Sequence, residues 1–343
     1  MGIYQEKGRI LYLDILRILA IFLVLFTHTG TRGNHVWTIT ESPFERNISL
    51  IADCFRCIQT QLFMMISGAL LLGKAEPWNV VYKKRIPRIL VVLLISSVFY
   101  YLFWGYDGGV PDMLLMIYTS QTDTPLWYLY YYISLLLVLP FMRKMAQGMD
   151  EGEFRLFVFL SFFSLSVLPM LYTNFGIPHM NSQLSFWFCI TGIVYCFTGY
   201  YLSKRNLNTL IIIILGSVAL GFLLLGSYTN LKIWNENDNS LTEAGYGMAT
   251  YPLAVFVFAA TKKIRFEKLP DKIKTMIKTI GECVFGIYIF GDVLLVSFRP
   301  FYDAIVQYMS PLIAVNFYLI VIVTIGTIGV YILRKVPLVR KYI

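Results

Sequence analysis

The chain has 343 residues, of which 57 % are hydrophobic and only 14 % are charged. An ordinary soluble domain carries about 25 % charged residues, so this composition excludes a typical soluble protein and indicates a polytopic membrane protein. The net charge of +9 does not indicate a nucleic-acid-binding protein, because the basic residues lie in short clusters between apolar runs. No polar stretch is long enough for a separate soluble domain, and we predict a single integral-membrane domain over residues 1–343.

Long apolar runs recur along the whole chain. Each is close to the ~20 residues that a helix needs to cross a bilayer, and together they predict an all-α bundle of about ten transmembrane helices. The predicted spans are residues 10–30, 48–72, 87–106, 125–142, 154–174, 184–202, 207–228, 246–261, 277–298 and 311–333. The span at 246–261 is the weakest of them, because it is short and contains Pro252.

Basic residues fall on alternate loops. Clusters such as those at 83–88 and 262–278 lie on one side, whereas the opposite loops hold few basic residues and most of the loop acids. By the positive-inside rule the basic loops are cytoplasmic, and Lys7, Arg9 and Arg334 then place both termini in the cytoplasm.

The cysteines all lie inside apolar runs, which is typical of small buried side chains, and no metal site is predicted.

The first predicted span carries three ionisable residues, Asp14, Arg17 and His28. A step of eleven residues is about three helical turns, so Arg17 and His28 share one face of the helix, roughly 16 Å apart. Ionisable groups in a spanning helix usually face the bundle interior or a water-filled cavity, so this face predicts one wall of an active site. His28 is the candidate general base, because an imidazole titrates near neutral pH; an ordinary polar residue at a helix end is the alternative.

Asp53 and Arg56 lie one turn apart in the second span. The favoured interpretation is an ion pair that fixes helix packing, and the alternative is that Asp53 orients the imidazole of His28.

The aromatic run from Trp127 to Tyr132 opens the fourth span. It is interpreted as an aromatic belt at the membrane interface, with a platform for stacking sugar rings as the alternative.

Four cations lie within the six residues from Lys83 to Arg88, beside the start of the third span. They could bind an anionic donor such as a nucleotide or a coenzyme phosphate, or they could anchor the loop to lipid headgroups. Glu282 and Asp292 lie in the ninth span and are functional candidates without an assigned role.

Several motifs follow one another along nearly the whole chain. They are residues 12–17 with His28 in an R-x10-H spacing, the Phe-Met-Met-Ile-Ser-Gly segment at 63–68, Arg85 and Arg88 in an R-x-x-R spacing, the Leu-Trp-Tyr-Leu segment at 126–129, and residues 281–288. In these motifs the chain resembles the acyltransferase type 3 family of integral-membrane acyltransferases, which includes O-acetyltransferases of bacterial surface sugars. The resemblance implies transfer of an acyl group, commonly acetyl, from cytoplasmic acyl-CoA to a hydroxyl of a glycan or of its lipid-linked precursor.

The resemblance also implies roles for particular residues. His28 would be the catalytic histidine, Arg17 its partner on the same helix, and Arg85 and Arg88 the contacts of acyl-CoA. The residues predicted to support them are Asp14, Asp53, Ser67 and Glu282. Relatives often carry a histidine at the positions of Pro125 and Gly291, which this chain lacks.

The same resemblance sets the expected partners and location. Acyl-CoA is a donor substrate, and no permanently bound cofactor is expected. The other partners are the glycan or lipid-linked acceptor and the lipid bilayer, with no nucleic acid. The expected location is the plasma membrane of a bacterium.

Two other classes of protein remain as alternatives. A carrier for a small anionic solute would line its path with Asp14, Arg17, Asp53 and Arg56, although no internal repeat with broken helices is visible in the sequence. A membrane module that serves a partner protein would need a docking surface, and the loops offer no large soluble one. For the enzyme, direct transfer with His28 as general base and transfer through an acyl-histidine both stay open.

Overall fold

The computed structural model describes residues 10–181, 192–236 and 241–342, and within these ranges every regular element is helical. The α-helices in these ranges are α1 (Leu11–Thr27), α2 (Pro43–Arg56), α3 (Gln59–Leu71), α4 (Trp78–Val80), α5 (Ile86–Phe103), α6 (Val110–Thr119), α7 (Trp127–Gly148), α8 (Glu151–Phe162), α9 (Leu168–Phe175), α10 (Ile193–Lys204), α11 (Thr209–Glu236), α12 (Ala244–Lys263), α13 (Asp271–Ser297), α14 (Arg299–Ile305), α15 (Pro311–Leu333) and α16 (Pro337–Arg340). The predicted all-α fold is confirmed.

Eight helical segments in the described part of the chain are long and apolar enough to cross a membrane. They are α2 with α3, α4 with α5, α7 with the turn before it, α8 with α9, α11, α12, α13 and α15. The chain is therefore a multi-pass membrane protein. Two predicted spans are not among the eight: α1 has 17 residues, and the span at 184–202 overlaps residues 182–191, which lie outside the described ranges. The count of ten spans and the cytoplasmic termini stay predictions.

The second predicted span differs most from the observed helices. It is predicted over 48–72, but α2 begins at Pro43, and the helix is interrupted between Arg56 and Gln59, where α3 begins. Proline favours the first position of a helix, because its missing N–H has no partner there in any case. The short α6 is absent from the prediction, because its 10 residues are too few to span a bilayer.

Helix α1 lies between two hydrophobic cores. Leu13 and Leu16 belong to a core that includes buried residues of α3 and α12. Ile21 and Leu25 belong to a second core, built with buried residues of α13 and α15. Because protein interiors are densely packed, the apolar faces of α1 are held from both sides. The direction in which its polar face points is fixed as a result.

Pro252 does not break α12, although a proline in this segment weakens its prediction as a transmembrane helix. The helix runs for 20 residues, and a larger share of it is buried than of any other of the eight segments. It packs most extensively against α11 and also contacts α1, α2, α3 and α10. Proline and glycine lower the hydropathy of a span, but neighbouring helices compensate by packing closely around it. The span with the weakest sequence pattern is thus central to the bundle.

Two glycines allow α3 and α10 to cross at close range. A Cβ atom at Gly68 would lie 1.8 Å from the carbonyl oxygen of Cys196, and one at Gly199 would lie 2.2 Å from that of Met65. These neighbours are backbone atoms, which cannot rotate away as a side chain can. Small residues are what permit such close helix contacts inside membranes. The crossing fixes the position of α3.

We expect Gly68→Ala to destabilise the folded protein by about 1–3 kcal/mol, because the added methyl group forces α3 and α10 apart. Gly329→Ala on α15 is the matched control, since a Cβ atom there meets nothing within 4 Å. Its stability should stay the same or rise slightly. Thermal unfolding in detergent, followed by the loss of monodisperse protein, measures both variants. Equal midpoints for the two would contradict the close crossing.

Candidate active site

A cavity of about 550 Å³ opens between α1, α3, α5, α7, α13 and the end of α15. Its wall brings together six of the predicted site residues, which are Arg17, His28, Ser67, Arg85, Arg88 and Glu282. The other two, Asp14 and Asp53, are fully buried and are not part of this wall. Residues far apart in the sequence therefore meet around one cavity.

Arg17 is held in place by Asp14, one turn earlier in α1. The Nη1 atom of Arg17 donates a hydrogen bond of 2.5 Å to Oδ1 of Asp14, and the side chain of Arg17 reaches the cavity wall. Gly281 of α13 leaves room for this pair, because a Cβ atom there would lie 2.9 Å from Cγ of Asp14. A guanidinium inside an apolar bundle needs such a partner, since an uncompensated buried charge is strongly destabilising.

His28 follows the last residue of α1 and lines the same cavity as Arg17. The end of α1 is joined to α3 by the Oγ1 atom of Thr27, which donates a hydrogen bond of 2.6 Å to Oε1 of Gln59. The Nδ1 atom of His28 lies 3.9 Å from Oδ1 of Asp292 in α13. The imidazole thus lies where the end of α1 meets α3 and α13, with its side chain only 17 % exposed.

Asp292 has a place in this site that the sequence left unassigned. Its carboxyl group also lies close to that of Asp123, the residue before the turn that leads into α7. The Nε1 atom of Trp104 donates a hydrogen bond of 3.0 Å to Oδ1 of Asp123. Burial raises the pKa of Asp123 above its usual value. In the sequence Asp123 is simply one of the loop acids, and only its contact in space sets it apart.

The opposite end of the cavity is basic. It contains Lys74, Arg85, Arg88 and Arg334, together with Glu282, which accepts a hydrogen bond of 2.9 Å from Nη1 of Arg334. Arg85 lies in the π-helical turn Val81–Arg85, just before α5. The four clustered cations of residues 83–88 do not all point to the cavity. Arg85 and Arg88 line the cavity, whereas Lys83 and Lys84 are exposed and do not line it.

Glu76 binds Arg85, which lines this end of the cavity, and also Arg143, which does not line it. It accepts two hydrogen bonds of 3.0 Å from Arg85 and one of 2.8 Å from Nη2 of Arg143. The hydrogen bonds from Arg85 are the main reason that the pKa of Glu76 falls to about 2. Because the folded-state pKa is depressed, this contribution to stability is present above the ordinary glutamate pKa and is lost as the pH falls toward about 2. Arg85 is therefore paired with a carboxylate at neutral pH.

Aromatic side chains form the middle of the cavity wall. Tyr128 and Tyr132 stack with their ring centroids 6.1 Å apart, and Tyr128 meets Tyr288 edge to face at 6.0 Å. Trp127 lines the wall as well. Part of the predicted aromatic belt thus faces the cavity. Among the described residues, no group of three or more His, Cys, Asp and Glu side chains is placed to hold a metal ion.

The structure places Asp53 in a separate buried cluster and favours the interpretation as an ion pair that fixes packing. Its Oδ2 atom accepts a hydrogen bond of 2.8 Å from Nε1 of Trp37 and another from the hydroxyl of Tyr246, and its Oδ1 atom accepts one from Arg56. These contacts join α2 to α12 and to the loop after α1. The residue beside the imidazole of His28 is Asp292.

The cavity joins a histidine at one end to several arginines at the other, within a helix bundle that is apolar enough to lie in a membrane. A family model described as an acyltransferase domain matches residues 10–333, which is nearly the whole chain. The chain therefore belongs to the acyltransferase 3 family and is a multi-pass membrane acyltransferase. No curated protein and no solved structure gives a match.

We expect Asp53→Asn to destabilise the fold by about 3–5 kcal/mol, because it leaves the buried guanidinium of Arg56 without its countercharge. The activity per folded molecule should persist, since Asp53 does not line the cavity. Thermal unfolding in detergent measures the first effect. Asp107→Asn is the control, because it removes an exposed carboxylate outside the cluster. A stable Asp53→Asn protein without activity would instead give Asp53 a part in the chemistry.

Proposed function

We propose that this protein moves an acyl group, expected to be acetyl, from acyl-CoA to a hydroxyl of a cell-surface glycan or of its lipid-linked precursor, in the plasma membrane of a bacterium. The observation that carries the proposal is the single cavity with Arg17, Arg85 and Arg88 on its wall and His28 at the other end. An acyltransferase of this kind needs a place for an anionic donor and a base for the acceptor hydroxyl, and this cavity offers both.

The basic end is suited to the phosphate groups of the donor. Guanidinium groups form paired, charge-assisted hydrogen bonds with phosphate oxygens, which favours Arg85 and Arg88 for this role. Glu76 already holds the guanidinium of Arg85 at two donors, so the side chain is oriented before any phosphate arrives. The acyl-pantetheine arm of the donor would then extend along the cavity over the roughly 16 Å that separate Arg17 from His28 on α1.

In the proposed reaction, His28 takes the proton of the acceptor hydroxyl as its oxygen attacks the thioester carbonyl. Arg17, roughly 16 Å from His28 along α1, holds the donor arm. The C–S bond then breaks, the ester forms, and the leaving CoA sulfur takes the proton back from the imidazolium. A variant of this scheme passes the acyl group through the imidazole of His28, and both routes use the same residues.

The acceptor side is suited to a sugar ring. The aromatic rings of Tyr128 and Trp127 line the cavity wall, and Ser67 lines it as well. Amphipathic aromatic rings combine a large apolar face with a polar edge, which suits a ligand that is polar at its rim and apolar on its face.

The structure gives little support to the carrier of anionic solutes. Of the four residues that would line its path, only Arg17 is on the cavity wall. Asp14 and Asp53 are fully buried and Arg56 is nearly so, each in an ion pair within its own helix. Three of these four charges are therefore engaged in ion pairs away from the cavity wall.

We expect the double variant Arg85→Ala/Arg88→Ala to lose affinity for acetyl-CoA, and His28→Ala to bind it without turnover. The physical reason is that the first change removes two guanidinium groups from the phosphate end, and the second removes the base. A loss of activity on the order of a hundred-fold or more is expected for His28→Ala. Binding and thioester hydrolysis of acetyl-CoA by protein in nanodiscs measure the two effects separately.

The matched control is Lys83→Ala/Lys84→Ala. It removes the same charge from the same six-residue segment, but from side chains that do not line the cavity. If the arginines serve only to anchor lipid headgroups, both double variants should bind acetyl-CoA equally well. Full activity of His28→Ala, or a wild-type protein with no affinity for any acyl-CoA, would overturn the proposed function.

A further inference from the structure

We propose that Asp292 and Asp123 form a carboxyl pair that orients the imidazole of His28 and sets its basicity, with Asp292 as the direct positioning residue and Asp123 acting through it. This inference rests on the proposed function, in which His28 is the base.

The imidazole of His28 lies between the cavity and the carboxyl group of Asp292. His28 lines the cavity, whereas Asp292 and Asp123 do not. The Oδ1 atom of Asp292 faces Nδ1 of His28 at 3.9 Å, from behind the wall. A base in this arrangement has one ring nitrogen toward a carboxylate and leaves the other for the reacting hydroxyl. The distance is longer than a hydrogen bond, and catalytic hydrogen bonds often tighten when substrate binds.

Both carboxyl groups have unused hydrogen-bonding capacity. Oδ1 of Asp292 and Oδ2 of Asp123 are buried and have no hydrogen-bond partner among the described residues. Trp104 satisfies only the other oxygen of Asp123. A buried polar atom without a partner is costly, so such atoms call for a specific explanation. A proton held between the two carboxyl groups supplies the missing hydrogen bond.

The pair would then carry about one negative charge near neutral pH, because two carboxylates in contact do not both ionise readily. The share of that charge on Asp292 lies beside Nδ1 of His28, where it favours the imidazolium that forms when the base takes its proton. It also fixes the ring tautomer that leaves the second nitrogen free to accept.

Other charged and titratable groups act on the same site and must be included. Burial disfavours the imidazolium of His28, and Arg56 of α2 adds to this effect because it is a nearby cation. Tyr100 of α5 and Tyr288 of α13 lie close to the carboxyl pair. Their hydroxyls donate hydrogen bonds to the backbone carbonyls of Ile289 and Pro125.

The test compares Asp292→Asn with Asp123→Asn, because the two substitutions should change the basicity of His28 in opposite directions. Asp292→Asn removes the charge beside the imidazole, so the acid limb of the pH–rate profile should move to lower pH by roughly one unit and the maximal rate should fall on the order of a hundred-fold. Asp123→Asn leaves Asp292 ionised without a like-charged neighbour, so the acid limb should move to higher pH with most of the rate retained.

The activity measurement follows thioester hydrolysis of acetyl-CoA by the full chain in nanodiscs, between about pH 5 and 9. A second measurement does not depend on turnover: the titration of His28 by NMR of protein labelled at histidine. The chain has 3 histidines, so the signal of His28 can be assigned by comparison with His35→Gln and His179→Gln. Asp107→Asn, which removes an exposed carboxylate, is the control that should move neither readout.

Shifts of opposite sign in the two variants support the proposal, because loss of structure would not move the titration of His28 upward in one variant and downward in the other. An unchanged titration of His28 in both variants would overturn it. If wild-type protein does not hydrolyse acetyl-CoA while the opposite titration shifts are present, the carboxyl pair stands and the proposed function fails. If hydrolysis occurs and neither variant changes the profile, the proposed function stands and the pair is excluded.

Discussion

The constraint on which this structure depends is the cost of holding charge inside an apolar helix bundle. Two of the buried ion pairs lie within one turn of a single helix, Asp14 with Arg17 in α1 and Asp53 with Arg56 in α2. Such pairs do little for net stability, but leaving one member unpaired is expensive. The pairing of Arg17 fixes its guanidinium at the wall of the cavity, and the packing of α1 between two cores fixes the wall itself.

Much of the fold was readable from hydropathy, because a helix that crosses lipid must be long, apolar and internally hydrogen-bonded. The same rule could not judge α12, whose proline and glycine are compensated by tight packing that only the folded bundle shows. It also missed the interruption after Arg56, because two residues outside the helix leave the hydropathy of a span almost unaltered. Local sequence signals therefore indicate spans, whereas helix contacts decide their shape.

For the site, helical periodicity and the order of motifs pointed to Arg17, His28, Arg85 and Arg88, and the structure brings all of these onto one wall. Periodicity could not find the contact of Asp292 with His28, because the two lie on helices far apart in the chain. The family resemblance leads one to expect histidines at Pro125 and Gly291. This chain instead has Asp123 two residues before the first position and Asp292 directly after the second. For Asp53 the sequence left two interpretations open, and its hydrogen bonds favour the packing role.

The position of His28 directly after the last residue of α1 has an electrostatic consequence of its own. The free carbonyl groups at the C-terminus of a helix carry a partial negative charge. The free N–H groups at its N-terminus carry a partial positive charge. An imidazole at the C-terminal end gains from this field whenever it is protonated. The carboxylate of Asp14, in the first turn, gains from the field at the other end. The backbone of α1 thus favours the negative charge of Asp14 at its N-terminal end, where Asp14 pairs with Arg17. At its C-terminal end it favours the positive charge that His28 acquires when it takes a proton.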